Sequence, residues 1–339
     1  MRTAAILGTG LIGASIGLEL RRLGWRTVGW DPDGEVLRVA LQRAAVDDAA
    51  ASDVDAVSGA DVVFLAGPLS AAIATVRHLE TPALVTDVAG VKQPVVDAAR
   101  GRLRFVGGHP MAGREHAGPA AATHSLFRGA SWVITTDGAA RTDIEKLSAI
   151  VSSMGAIPRE MTAAEHDESV ARISHVPHLL AAALLAGFAE DSMSQLLAAG
   201  SFRDLTRVAS SDVGWWPEVL VANAHHVDLA IDQLIAELAE LRHAANRAAF
   251  DELRTRLDRA RTRRHDLAPA VVRIGVVLQD KPGEIAAVGR ALEQSSVDVR
   301  DLQLRHAPHG GGGVLTLSVR PGEGEALRHA LVSEGFEVE

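Results

Sequence analysis

The sequence predicts an α/β protein with three parts: a doubly wound parallel sheet, an all-helical domain and a small α+β module. Three observations predict these parts. The first 31 residues contain a strand, a glycine-rich turn, a helix and a second strand. Helical periodicity dominates from about residue 163, and a βαββαβ pattern follows residue 270. We therefore expect domains at 1–162, 163–266 and 270–339.

Composition excludes several classes of protein. The chain has 339 residues, 47% of them apolar, and a net charge of −9, which argues against a nucleic-acid-binding protein. No apolar run reaches about 18 residues and no signal peptide is apparent, so we expect no membrane contact and a cytoplasmic location. The absence of Cys excludes disulfides, thiolate nucleophiles and Cys-based zinc sites.

The opening segment favours dinucleotide binding. A strand at Thr3–Leu7 leads into the G-x-G-x-x-G turn at 8–13, and a second strand at 27–30 ends at Asp31. In such a turn the glycines permit the tight bend and the approach of a pyrophosphate, which then faces a helix N-terminus. Asp31 would bind the ribose hydroxyls, and no Arg follows it to hold a 2′-phosphate, so NAD is favoured over NADP.

Further strands are predicted at 61–66, 83–87 and 105–107, alternating with helices. Their following loops would meet at the carboxyl edge of the sheet, where ligands bind. Together with the glycine turn they give the expected cofactor-binding residues: Gly8, Thr9, Gly10, Leu11, Ile12, Gly13, Asp31, Pro68 and Gly90. A strand at 132–135 and a helix at 141–154 would complete this domain.

The segment GGHPMAGREHAG at 107–118 is predicted to be a rigid loop that presents the imidazole of His109. Pro110 lacks an N–H and pushes its predecessor to extended geometry, which disfavours a helix or a central strand.

The middle of the chain is predicted to be helical at 175–188 and 192–197, with a glycine-, serine- and tryptophan-rich interruption at 200–218. A long helix is expected from Pro217, which suits a first helical turn. Its apolar residues recur in steps of three and four, which favours a partner helix from a second copy or, alternatively, packing within the chain. They are Leu220, Ala224, Val227, Ile231, Leu234, Leu238 and Leu241. The arginines at 254–264 are expected to form a solvated helix face.

After a linker predicted at 265–270, the remaining segment predicts a ferredoxin-like module. Its first strand is followed by a D-x-P-G turn and a helix, and the glycine-rich stretch 307–313 is expected to be a hairpin loop.

With these motifs in place, the chain resembles the prephenate dehydrogenases, NAD-dependent enzymes of tyrosine biosynthesis, and its end resembles an ACT domain. The motifs that carry the resemblance are GTGLIGASIG (8–17), GGHPMAGREHAG (107–118), ISHVPHLLAAAL (173–184), GSFRDLTRVASSDVGWW (200–216) and QDKPGEIAAVGRAL (279–292). The resemblance implies oxidative decarboxylation of prephenate to 4-hydroxyphenylpyruvate and CO₂, and the long helical pattern predicts a homodimer. An arogenate dehydrogenase and a catalytically silent sensor of NAD and an amino acid are the alternatives.

The resemblance also implies roles for individual residues. His109 matches the catalytic base, Arg207 matches the arginine that binds a substrate carboxylate, and Glu115 matches part of a charged gate at the substrate entrance. The full set expected to bind or gate the substrate is Ser174, His178, Arg207, Gly200, Glu115, Arg203, Asp204 and Trp216. His166 and His175 are expected to be structural, and no metal site is expected because metal-ligand spacing is absent.

One position departs from the family pattern. The segment D-V-x-S-V-K carries a Ser that hydrogen-bonds the catalytic His, whereas this chain has Gly90 there. The orientation of His109 must then come from water, a backbone group or another side chain.

The resemblance to an ACT domain implies that an aromatic amino acid, tyrosine first, binds near 280–285 and at a contact between two such modules. The residues concerned are Asp280, Pro282, Gly283, Glu284 and Ile285. The alternative is a module that only stabilises the dimer.

Overall fold

The structure is a computed structural model that describes residues 1–114, 116–187, 192–211, 213–267, 271–279, 281–306 and 312–338. Two site residues expected from the sequence, Glu115 and Asp280, lie outside the described residues, as does most of the predicted hairpin loop at 307–313. The chain divides into two compact units, Met1–Ala236 and Glu237–Glu339.

The first unit contains a six-stranded parallel sheet with the order β3-β2-β1-β4-β5-β6. The strands are β1 (Thr3–Leu7), β2 (Arg26–Trp30), β3 (Asp48–Ala49), β4 (Val62–Leu65), β5 (Leu84–Asp87) and β6 (Arg104–Phe105). The connecting helices are α1 (Leu11–Arg22), α2 (Gly34–Gln42), α3 (Asp53–Val57), α4 (Leu69–His78) and α5 (Gln93–Ala99). The predicted doubly wound sheet is confirmed, and its strand order reverses between β1 and β4.

The sheet is buried on both faces, which explains why its central strands are continuously apolar. Because successive side chains of a strand point to opposite faces, neighbours enter different cores. Ile6 of β1 and Phe64 of β4 pack in the core that contains Ile16 of α1. Leu7 packs in the opposite core with Val76 of α4.

A second, three-stranded sheet carries His109. Its strands are β7 (Gly108–Pro110), β8 (Ser131–Thr135) and β9 (Ile157–Met161), and α6 (Arg141–Ser153) joins the last two. The expectation that His109 lies in a loop is wrong: it sits in the short strand β7, antiparallel to β8 and opposite Val133. Strand β7 is at the edge of its sheet, where a proline costs no hydrogen bond of the ladder.

The helical part begins with one continuous run, Ala163–Ala186. It consists of α7 (Ala163–Val170), a π-helical turn (Ala171–His175) and α8 (Val176–Ala186). The later helices are α9 (Ser192–Leu197), α10 (Gly200–Thr206), α11 (Trp216–Ala222), α12 (Ala224–Asn246) and α13 (Phe250–Leu267). The run Ala163–Ala186 is long and apolar enough to span a membrane, with a mean hydropathy of 1.3. A single such helix is weak evidence, because core helices of soluble proteins meet the same criteria.

Three boundaries differ from the predictions. The expected interruption at 200–218 contains α10 and a 3₁₀ turn at Arg207–Ser210. Two helices replace the single helix expected from Pro217. Helix α11 ends at Ala222, and the side-chain amide of the next residue, Asn223, donates a hydrogen bond to the carbonyl oxygen of Asp167. Helix α13 extends to Leu267, so the predicted linker at 265–270 is helical in its first three residues.

The apolar positions of α12 have two environments. Val227 and Ala230 are buried against Ala171 and Val176 of the preceding helical run, so part of the pattern is satisfied within the chain. Other apolar side chains are half exposed; these are Leu229 (48%), Ile235 (57%) and Leu238 (50%).

The C-terminal part of the second unit is a four-stranded antiparallel sheet with the order β11-β12-β10-β13 and two helices. Its elements are β10 (Val272–Leu278), α14 (Glu284–Ser295), β11 (Asp301–His306), β12 (Gly313–Val319), α15 (Gly324–Ser333) and β13 (Glu337–Val338). The helices close its core: Val288 of α14 and Leu327 of α15 pack against Ile274 and Leu317 of the sheet.

Candidate active site

The glycine turn after β1 has a shape that only glycine allows. Gly8 has a positive φ of +96°, and a Cβ there would lie 2.6 Å from the carbonyl carbon of Ala66. A Cβ at Gly13 would lie 1.9 Å from the carbonyl oxygen of Gly8. A Cβ at Gly10 would meet no atom within 4 Å, so that position faces open space. Since no side chain caps the N-terminus of α1, the first-turn N–H groups of Leu11 and Ile12 suit a pyrophosphate.

The carboxylate of Asp31 is held beside this turn. It accepts hydrogen bonds from the backbone N–H of Thr9 at 2.6 Å and from that of Asp33 at 3.0 Å. The loop after β4 closes the other side of the turn, and Pro68 in that loop caps α4 without a side-chain hydrogen bond. The glycine cradle and the placed carboxylate both fit an adenine dinucleotide.

His109 is hydrogen-bonded to a second histidine. Its Nδ1 lies 2.8 Å from Nε2 of His166, and the two rings meet edge to face. Nδ1 of His166 in turn lies 2.7 Å from Oδ1 of Asp167. The edge strand β7 is thereby connected to the helix α7, whose capping box at Thr162 and Glu165 fixes its start.

Asp167 is itself held by the backbone. Its carboxylate accepts hydrogen bonds from the N–H groups of Lys92, at 2.8 Å, and Gln93, at 2.9 Å. Its carbonyl oxygen accepts a bond of 2.8 Å from the side-chain amide of Asn223, which also lies 3.2 Å from Nδ1 of His175. The Asp167 carboxylate is thus fixed independently of His166.

A buried ion pair, Lys92 with Asp87, is hydrogen-bonded to Gly108 at the start of β7. Lys92 is completely buried and donates from Nζ to Asp87 and to the carbonyl oxygen of Gly108, the latter at 2.6 Å. Asp87 also accepts from the N–H of Gly108 at 3.1 Å. Burial lowers the pKa of Lys92, against the opposing effect of Asp87 and Asp167. The pair ties the end of β5 to the residue before His109.

The electrostatics favour a neutral His109. Burial, followed by electrostatic repulsion from the neighbouring His166, Lys92 and His175, holds its pKa well below 6.5. Burial also lowers the pKa of His175 to about 4. At neutral pH the imidazole of His109 is therefore unprotonated at one nitrogen and able to accept a proton.

Gly90 lies beside the accepting edge of this imidazole. A Cβ at Gly90 would be 4.0 Å from both Cε1 and Nε2 of His109, which is ordinary contact distance. The side chain that orients His109 in this structure is therefore His166, on the opposite edge of the ring.

A cavity of about 350 Å³ lies along the same helical run. It brings together four residues expected to bind substrate and one neighbour: Ser174, His178, Arg207, Trp216 and Trp215. The rings of His178 and Trp216 stack at 3.8 Å, and Trp216 stacks on Trp215 at 4.4 Å. The buried Nδ1 of His178 has no hydrogen-bond partner among the described residues. Burial lowers the pKa of His178.

The other expected residues are placed differently. Gly200, Arg203 and Asp204 lie exposed on α10 and do not line this cavity. Within the described ranges, no group of three or more His, Cys, Asp or Glu side chains is arranged to hold a metal ion.

The sequence interpretation missed His166, Asp167, Lys92 and Asn223 as site residues. The adjacent His166 and Asp167 at the start of a helix are a usable signal, but His166 lies 57 residues from His109 in the chain. Only the fold brings them together.

A cradle for a dinucleotide, a half-buried histidine with a lowered pKa and an aromatic cavity with an arginine define an NAD-dependent oxidoreductase. Two family descriptions match the chain: "Prephenate dehydrogenase, nucleotide-binding domain" at residues 16–157 and "Prephenate dehydrogenase, dimerization domain" at residues 162–259. The chain belongs to the prephenate dehydrogenase family.

Similar proteins support this assignment. The prephenate dehydrogenase of Bacillus subtilis (strain 168) is 31% identical over 341 residues, which cover 93% of this chain and 91% of that protein. The crystal structure of prephenate dehydrogenase from A. aeolicus with hydroxyphenyl propionate and NAD⁺ matches with a TM-score of 0.71 at 27% identity, covering 79% and 99%. The Synechocystis arogenate dehydrogenase matches with a TM-score of 0.69 at 29% identity, covering 79% and 100%.

Proposed function

We propose that this protein catalyses the NAD-dependent oxidative decarboxylation of prephenate to 4-hydroxyphenylpyruvate and CO₂, with His109 as the general base. The observation that carries the proposal is the hydrogen bond of 2.8 Å between Nδ1 of His109 and Nε2 of His166, and burial also lowers the pKa of His109. Its Nε2 is thereby left to accept a proton. Turnover of prephenate with release of NADH is the direct test.

The glycine turn and Asp31 are the groups that would hold NAD. The first-turn N–H groups of α1 would bind the pyrophosphate, and Asp31 would exchange its bond to Thr9 for the ribose hydroxyls. Pro68 and Gly90 would line the cofactor on the strand ends that follow. When bound, NAD⁺ accepts the hydride that leaves the substrate ring.

His109 handles the proton of the ring hydroxyl. Nε2 takes this proton as the same carbon loses hydride, so that a carbonyl forms at that carbon. The bond to the ring carboxylate then breaks, CO₂ leaves, and its electron pair makes the ring aromatic. The phenolate oxygen takes the proton back from His109, so that no net proton is released. General-base catalysis of this kind contributes about 10²–10⁴-fold.

The aromatic cavity is the proposed substrate site. Prephenate carries two carboxylates, and the guanidinium of Arg207 at the cavity can bind one of them in a bidentate manner. Ser174 and His178 line the same cavity and offer further polar contacts, and Trp216 stacks on the His178 ring. We assign Gly200, Arg203, Asp204 and Glu115 to the entrance of the site, on the strength of the sequence motifs alone.

Replacing Arg207 with glutamine is expected to raise the KM for prephenate about 10–100-fold with a smaller effect on kcat, since a charge-assisted carboxylate contact is lost. Steady-state kinetics at saturating NAD⁺ measure this. Arg172→Gln is the matched control, because Arg172 is exposed and paired with Glu168. An unchanged KM in Arg207→Gln would remove carboxylate binding from this residue.

Arogenate is the alternative substrate, since its ring chemistry is the same and only the side chain differs. Because the chain is similar to the Synechocystis arogenate dehydrogenase, the turnover assay includes arogenate as a second substrate. A catalytically silent sensor is the third hypothesis, and the hydrogen-bonded network around His109 argues against it.

The organisation of the chain is also proposed here. We place domain boundaries at 1–162, 163–266 and 270–339, the first two supported by the matched family domains. We propose a homodimer formed through the helical domain, where α12 presents the half-exposed side chains of Leu229 and Ile235. We propose a cytoplasmic location.

The C-terminal module is proposed to be a ferredoxin-like ACT domain that binds tyrosine. Its strand order and two helices suit this fold. A cavity of about 360 Å³ in the module is lined by three of the expected residues, Gly283, Glu284 and Ile285, at the turn into α14. Pro282, in the same turn, does not line it.

Tyrosine is expected to slow prephenate turnover by the full-length protein. Ile285→Asp should raise the tyrosine concentration for half-inhibition about tenfold or more, because an apolar contact in this cavity is lost. Val332→Asp is the control, since Val332 is similarly exposed (58% against 65%) and lies on α15 away from the cavity. Equal inhibition of both variants and the unmodified protein would place the effector at the active site instead.

A further inference from the structure

His166 and Asp167, which are linked to His109 by successive hydrogen bonds, have a function that the motifs do not assign. We propose that His166 and Asp167 form a relay that sets the tautomer of His109 and shares the charge of the proton that His109 accepts. This inference rests on the proposed function of His109. His166 acts through His109, so it is a positioning residue.

The direction of the relay follows from its fixed end. The carboxylate of Asp167 can only accept hydrogen bonds, and it already accepts two from the backbone of Lys92 and Gln93. Nδ1 of His166, 2.7 Å from Oδ1, must therefore carry a proton and donate it. In neutral His166 the other nitrogen, Nε2, is then an acceptor.

The same argument fixes His109. Its Nδ1 lies 2.8 Å from the accepting Nε2 of His166 and must donate. The lone pair of neutral His109 is thereby confined to Nε2, on the edge that faces Gly90. A free imidazole exchanges between its two tautomers, whereas this arrangement leaves only the one whose Nε2 is a base.

The relay also provides a path for charge. When Nε2 of His109 accepts the substrate proton, the Nδ1 proton can pass to Nε2 of His166. His109 becomes neutral again, and the positive charge lies on His166 beside the carboxylate of Asp167. The reverse transfers return the proton to the phenolate, so that both residues end unchanged.

Burial makes these bonds effective. His166 and Asp167 are each only 1% exposed, so water does not compete for their hydrogen bonds. The other titratable groups around the relay are Lys92 and His175, which act on His109, and Asp87, which is paired with Lys92. Within the described part of the chain, Asp167 is the one carboxylate that is hydrogen-bonded to His166, and none is hydrogen-bonded to His109.

The tautomer of His109 is the primary test. Side-chain ¹⁵N NMR of the full-length protein at neutral pH is expected to show His109 as the Nδ1–H tautomer, its signal assigned by loss in His109→Asn. In His166→Leu the His109 signal should move towards the Nε2–H form. A predominantly Nε2–H tautomer in the unmodified protein, or an unchanged tautomer in His166→Leu, would overturn the relay.

Kinetics provide the second readout. His166→Leu is expected to lower kcat about 10²-fold or more, with the KM for prephenate within about threefold. Partial recovery is expected in His166→Gln, because its amide oxygen can accept from His109. His78→Leu is the matched control: it removes a His–Asp hydrogen bond of equal length, 2.7 Å to Asp53, outside the site. A kcat for His166→Leu within twofold of that control would contradict the relay.

The two proposals fail separately. A protein that shows the Nδ1–H tautomer but does not turn over prephenate would overturn the proposed function and retain the relay geometry. The NMR measurement on the unmodified protein needs no folded variant of His166, so it decides the relay even where His166→Leu is unstable.

Discussion

His109→Asn is expected to lower kcat for prephenate by about 10²–10⁴-fold, because the amide cannot accept the proton of the ring hydroxyl. Binding of NAD⁺ should be unchanged, since the glycine turn and Asp31 are formed by β1, β2 and α1 rather than by β7. Steady-state kinetics and a fluorescence titration with NAD⁺ measure the two quantities. An unaltered kcat would remove His109 from the reaction.

The pH dependence gives a second check on the same residue. Burial holds the pKa of His109 well below 6.5, so its active neutral form persists at mildly acidic pH. As pH falls through this lowered pKa the base becomes protonated and kcat/KM declines. The acid limb of the kcat/KM profile is therefore expected below pH 6.5. A limb above that value would contradict the assignment.

Lys92→Met is expected to destabilise the first unit by about 3–5 kcal/mol, because it leaves the carboxylate of Asp87 buried without its cation. Both side chains of this pair are 0% exposed, so water cannot replace the lost partner. Thermal unfolding of the full-length protein, followed by circular dichroism, measures the effect.

Two controls identify the cause. Lys146→Met removes a lysine whose hydrogen bond to the carbonyl oxygen of Asp61, 2.9 Å long, is exposed, and should cost less than about 1 kcal/mol. The double variant Lys92→Met with Asp87→Asn should recover part of the loss, because it removes the unpaired charge. Equal destabilisation of the single and double variants would show that lost packing, not charge, is responsible.

Much of the nucleotide-binding half follows from local patterns. A glycine turn between an apolar strand and a helix has one physical solution, and Gly8 with its positive φ illustrates it. The helix at 141–154 and the strand at Thr3–Leu7 likewise follow from periodicity and agree with the structure. The family resemblance groups Ser174, His178 and Arg207 as substrate-binding residues, and in the structure all three line one cavity.

What failed depends on contacts distant in sequence. Pro110 predicts a loop locally, but pairing with β8 makes β7 an edge strand. The break between α11 and α12 arises at Asn223, whose amide bonds to Asp167, 56 residues earlier. The orientation of His109 comes from His166, which no local pattern links to it. Periodicity reports which face of a helix is buried, and it does not report which polar side chain lies opposite.

Release of NADH and CO₂ by the purified full-length protein, given NAD⁺ with prephenate or with arogenate, decides whether this chain oxidises prephenate. We expect equal amounts of NADH, CO₂ and 4-hydroxyphenylpyruvate from prephenate, and loss of all three in His109→Asn. Turnover of arogenate alone would keep the chemistry and change the substrate. No turnover of either compound would overturn the proposed reaction and favour a sensor that binds NAD without catalysis.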